Sequence, residues 1–163
     1  NPGIIEPQNP LQDVLISRPL IVRMHVRGWT TNDAGEVVRR DYHDVKVTFP
    51  PHYPTGQPFR FVSVPGAPPI FHPNVNPVLD DDESGHYICL YTDDIPPQRR
   101  NLTEAFVKLE AMILWRAGNL FDVDAMNQHA AKLYEDTDSV FHRLGLPRLR
   151  PPLRRLRELR AQV

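Results

Sequence analysis

Cysteine occurs once in the chain, at Cys89, so no internal disulfide can form and no oxidising compartment is required. No apolar run reaches the length of a membrane span or of a signal-peptide core. These absences together make a cytoplasmic location the expectation. Lysine is also scarce, three residues against sixteen arginines, a bias that reads as composition and carries no functional weight. Proline nearly vanishes from the second half: fifteen of eighteen precede residue 100. Because proline is excluded from helix interiors and confined to edges and turns in sheets, the chain divides into a strand-and-loop half and a helical half.

What remains is ordinary for a globular chain: 163 residues, 40% hydrophobic and 24% charged. That is one domain by length, with enough chain to bury a core. The net charge of −1 conceals an asymmetry, since residues 147–163 carry six arginines and one glutamate. The sequence is expected to divide into a proline-rich segment at 1–19, a main domain at 20–146 and a basic tail at 147–163. No internal repeat is visible.

Residues 20–29 alternate, with Val22, Met24 and Val26 on one face and Arg23, His25 and Arg27 on the other, the pattern of a half-buried strand. Asn32-Asp33-Ala34-Gly35 is a turn signal. A second strand is expected from about Glu36 through Phe49, and a third at 59–64, with Phe59, Phe61 and Ser63 facing opposite to Arg60, Val62 and Val64. The connections are too short for parallel crossovers, so the sheet should be an antiparallel meander. Asn101 followed by Glu104 opens a helix, whose apolar spacing runs from Leu102 to Leu120 with Gly118 as a stop. A second helix is expected from Asp122 or Asp124, using Met126, Ala130, Leu133 and Tyr134, with short helices at 11–17, to Leu144, and beyond Pro152. The fold class is α+β, an antiparallel meander sheet packed against C-terminal helices.

The chemistry concentrates at 70–90, IFHPNVNPVLDDDESGHYICL. A lone thiol in a strand-like ICL segment, near the side-chain amide of Asn74, suits acyl transfer: the thiolate attacks and an amide N–H donates to the developing oxyanion. The alternative for these residues alone is a buried cysteine and a structural asparagine. The residues between them, rich in acids and proline, have no apolar periodicity and read as a loop. Asp80, Asp82, Ser84 and Gly85 mimic half of a calcium loop, but the closing position is Tyr91, and His72, His86 and Cys89 lack zinc spacing. No metal or cofactor is expected.

VTFPPHYP at 47–54, IFHPN at 70–74, GHYICL at 85–90 and DAMNQHAAKLYEDTDSVF at 124–141 together resemble a ubiquitin-conjugating enzyme, in that family's order. The resemblance implies a ubiquitin-conjugating-like fold whose cysteine accepts a ubiquitin-like modifier as a thioester from an activating enzyme. The modifier then passes to an amine of a protein target, with or without a ligase. It implies Cys89 as nucleophile, Asn74 as oxyanion donor or loop anchor, and Asp124 as the acid that orients the amine. His72 and Pro73 would shape the turn, and His86 would be solvated. Nucleic acid and membrane are not expected partners. Three features depart from the family pattern: the fifteen-residue interval from Asn74 to Cys89, no tryptophan soon after the cysteine, and no recognisable amphipathic helix in residues 1–19. A noncatalytic modifier-binding module and a cysteine hydrolase are the competing readings.

Overall fold

The computed structural model of the chain describes residues 5–8, 19–50, 59–80, 85–90, 101–116 and 125–135. Within them the protein is α+β: a six-stranded antiparallel sheet, a separate two-stranded hairpin and two helices. The strands are β1 (Ile5–Pro7), β2 (Leu20–Met24), β3 (Gly28–Thr31), β4 (Val37–Arg40), β5 (His43–Thr48), β6 (Arg60–Ser63), β7 (Val75–Asp80) and β8 (Gly85–Ile88). The helices are α1 (Leu102–Ile113) and α2 (Gln128–Glu135). The expected helices at 11–17, running to Leu144 and beyond Pro152 lie outside the described residues, as does the basic tail.

The large sheet runs β1-β2-β5-β6-β8-β7. Ile5–Pro7, in the proline-spaced N-terminal segment, adds an edge strand to β2. Both edge strands carry a proline, Pro7 and Pro77, which withholds a backbone donor and discourages pairing with another chain. The alternation in β2 and β5 is realised: Leu20, Val22, Met24, Val45 and Val47 are buried, and the residues between them are half-exposed. On β6 the alternation fails, because Phe61, Val62 and Ser63 are all buried.

Residues 20–29 do not form one strand. β2 ends at Met24, Val26 N–H returns to the Met24 carbonyl at 2.9 Å, and β3 starts the small sheet with β4. The turn between β3 and β4 forms at Asn32–Gly35, where Asn32 Oδ1 accepts from the N–H groups of Ala34 and Glu36, and Gly35 has φ +78°.

Asn101 caps α1, its Oδ1 accepting from Glu104 N–H at 2.8 Å. Ala105, Leu109, Met112 and Ile113 face the sheet and complete a core with Met24, Phe59, Phe61 and Ile88. Fully burying each large apolar side chain contributes about 1.5–3 kcal/mol. The helix stops at Ile113, several residues before Gly118. Trp115 N–H bonds Met112 O and Arg116 N–H bonds Ala111 O, a Schellman closure with Trp115 at φ +58° in the position that favours glycine. A bulky residue there costs on the order of 1–3 kcal/mol. Packing offsets it: the fully buried Trp115 ring stacks on Tyr134 at 5.4 Å and meets His72 edge-on at 5.1 Å.

α2 begins later than its apolar spacing suggests. Asn127, not an aspartate, is the cap, with Oδ1 accepting from Ala130 N–H at 3.0 Å. Met126 precedes the helix and is exposed, while Ala130 and Tyr134 are buried against Trp29, Phe71 and Trp115. No helix among the described residues is long and apolar enough to cross a membrane.

Candidate functional site

The stretch from Pro69 to Asn74 is clamped before it reaches the turn. Thr30 Oγ1 donates to the Pro69 carbonyl at 2.6 Å, Phe71 N–H donates to the Trp29 carbonyl at 2.8 Å, and Thr30 pairs with Ile70. The β3–β4 hairpin therefore sets the approach to His72-Pro73-Asn74.

Three contacts hold that turn. Val75 N–H closes on the His72 carbonyl at 3.0 Å, and Asn74 N–H donates to His72 Nδ1 at 3.1 Å. A ring nitrogen that accepts from a backbone N–H has its lone pair engaged, so Nδ1 of the fully buried His72 is committed to the turn's geometry. Pro73 is buried too, and its carbonyl accepts from Asn127 N–H at 3.0 Å, docking the start of α2 against the turn.

The segment between Asn74 and Cys89 is the main departure from the sequence reading. It is not a loop but contains a hairpin, β7 paired with β8. Val75 pairs with Ile88, while Leu79 pairs with His86, so four steps along β7 oppose two along β8. This bulge accommodates Pro77, and the polar groups around it are satisfied locally. Val78 N–H bonds Asn76 Oδ1 at 3.0 Å, and His86 Nδ1 lies 2.9 Å from the Asn76 carbonyl. His86 is thus half-buried and tied to the bulge, not solvated.

Because Val75 and Ile88 are the last pair, Asn74 and Cys89 flank it across the strands. Cys89 N–H donates to the Asn74 carbonyl at 2.9 Å, and Asn74 Nδ2 donates to the Cys89 carbonyl at 3.1 Å. The fifteen-residue interval is closed by strand pairing, and the amide reaches the cysteine's backbone. The Cys89 residue is half-buried on a backbone fixed by these two bonds.

Asp124, the remaining expected site residue, lies outside the described residues, three positions before Asn127. Two supporting residues escaped the sequence reading. Trp115 packs under His72, and Asn127 ties α2 to Pro73. A tryptophan late in the amphipathic run and an asparagine before Gln-His-Ala-Ala were the available signals.

No protein-family model, curated protein or solved structure matches the chain.

Proposed function

We propose that the protein is a ubiquitin-conjugating-type acyltransferase with a ubiquitin-conjugating-like fold. The observation that carries this reading is the reciprocal pair of hydrogen bonds between Asn74 and Cys89, which brings the His-Pro-Asn turn against the one cysteine of the chain. An antiparallel sheet with an α1 packed on it and an α2 docked on that turn also supports it.

In the proposed reaction the Cys89 thiolate attacks the activated C-terminal carbonyl of a ubiquitin-like modifier held as a thioester on an activating enzyme. The enzyme's thiolate leaves and a new thioester forms on Cys89. An amine of the target then attacks that carbonyl, the Cys89 thiolate departs, the nitrogen loses a proton and an amide results. Asn74 anchors the Cys89 backbone and donates toward the oxyanion of the second step. Asp124 orients the attacking amine and favours its neutral form.

The test is loading: with its activating enzyme, ATP and the modifier, the chain forms an adduct on a non-reducing gel that a thiol reagent cleaves. A binding module would give no covalent adduct. A cysteine hydrolase would release the modifier to water without a preference for amines.

A further inference from the structure

Beside the His-Pro-Asn turn lies a cavity of about 320 Å³. Phe71 and Val75 on either side of the turn line it, with Asn76 and His86 from the β7–β8 bulge and Asn127 and His129 from the start of α2. Val75 N–H donates to the His72 carbonyl and Asn127 N–H to the Pro73 carbonyl, so two of these residues are bonded to the turn itself. Neither Asn74 nor Cys89 lines the cavity.

Three of the polar groups have their orientation settled by the bonds they already make. Asn127 is only 8% exposed, and its Oδ1 accepts from Ala130 N–H at 3.0 Å. Asn76 Oδ1 likewise accepts from Val78 N–H at 3.0 Å. A backbone N–H is met by the amide oxygen, so each side chain has its NH2 end left over. Among the described residues neither Nδ2 donates to another group. His86 Nδ1 lies 2.9 Å from the Asn76 carbonyl, which can only accept, so Nδ1 carries a proton and Nε2 of the neutral ring keeps its lone pair. The cavity therefore has two amide donors and one ring acceptor. A donor on a side chain as buried as Asn127, without a protein partner, marks a place for a ligand acceptor.

We propose that this cavity binds a small uncharged cyclic imide, a flat ring with an N–H between two carbonyls, as in uracil and thymine. The two carbonyl oxygens accept from Asn76 Nδ2 and Asn127 Nδ2, and the imide N–H donates to His86 Nε2. Among the described residues no lysine, arginine, aspartate or glutamate lines the cavity, which favours an uncharged occupant. The rings of Phe71 and His129, 5.7 Å apart between centroids, favour a flat body over a branched one. The volume lies at the lower end of the range of about 300–1,000 Å³ typical of small-molecule sites, enough for one ring and a modest substituent. Binding needs no thiol, activating enzyme or modifier, so it stands or falls apart from the proposed transfer reaction.

The experiment titrates the full ¹⁵N-labelled chain with uridine, and in parallel with cytidine and 3-methyluridine. Cytidine replaces the imide by an amino group beside a bare ring nitrogen, and 3-methyluridine removes the N–H alone. Uridine should shift the side-chain amide signals of Asn76 and Asn127 and the backbone signal of Val75 to saturation. Both control nucleosides should bind about tenfold more weakly or worse, since they leave a polar group of the site unmatched. Asn127→Asp keeps the oxygen that caps α2 and removes the donor, and Asn76→Asp does the same in the bulge. Each should weaken uridine binding about tenfold, whereas Val107→Thr, at an exposed position of α1, should change it less than about twofold. Where one aspartate variant loses the native spectrum, the other decides. No saturable shift up to the solubility limit of uridine would overturn the proposal. So would equal binding of either control nucleoside, or undiminished binding by a folded aspartate variant.

Discussion

Asn74 and Cys89, fifteen residues apart, hold each other through two hydrogen bonds, one from the Cys89 N–H and one from the Asn74 side-chain amide. The amide donates to the cysteine's carbonyl, so it fixes the backbone that carries the thiol. Removing it by Asn74→Ala should cost about 1 kcal/mol of stability and lower the melting temperature by about 2–4 °C. On the proposed reaction it should also slow single-turnover discharge to lysine by roughly 10²- to 10³-fold, with loading changed less than about twofold. Equal losses in loading and discharge would leave Asn74 a structural anchor only.

Asp124→Ala should impair the same discharge step without lowering the melting temperature. The defect should shrink as pH rises and the attacking amine deprotonates unaided. A pH-independent defect would remove Asp124 from that role.

His43 on β5 is buried, and among the described residues neither ring nitrogen has a hydrogen-bond partner. Burial, reinforced by the nearby Arg40 charge and partly opposed by Asp44, pushes its pKa down to about 4. The unfolded chain, with histidine near 6.5, therefore binds this proton more readily than the folded one. Stability is fully present above about pH 6.5 and falls as pH drops towards 4. Between pH 7 and 4.5 the loss should be about 2–3 kcal/mol, measured by urea unfolding. His43→Leu should flatten that limb; an unchanged acid limb in the variant would mean that other groups set it.

Two glycines tolerate a methyl group differently. At Gly85 a Cβ would collide with the backbone carbonyl of Ser63, which cannot move without disturbing β6. At Gly28 it meets the Ile113 side chain and His43 Nε2 at 2.5 and 2.6 Å, groups that can shift. Gly28→Ala should cost about 1–3 kcal/mol, and Gly85→Ala more, by thermal or urea unfolding. The reverse order would contradict this packing.

Where one face meets the core and the other meets water, as in β2 and β5, spacing alone located the buried residues, but it ran β2 into β3 and β4 into β5, which belong to different sheets. The Asn101 cap was equally readable, because capping is a local hydrogen bond. Residues 75–80 were not: Pro77 breaks alternation, and the bulge that absorbs it depends on His86 from the facing strand. The helix end at Trp115 was hidden for a similar reason, since its left-handed backbone is held by His72 and Tyr134, remote in sequence. For the site, Cys89 and the His-Pro-Asn turn were legible as residue types. Their contact was not, because it follows from the Val75–Ile88 register.

Intact-mass analysis of the loaded protein tests the central claim most directly. With activating enzyme, ATP and modifier, the native chain should gain one modifier less one water, and mild thiol treatment should remove it. Cys89→Ser should give either no adduct or a thiol-resistant ester. An unchanged, thiol-sensitive adduct on Cys89→Ser, or a native Cys89 that stays unmodified while the activating enzyme is loaded, would contradict the account.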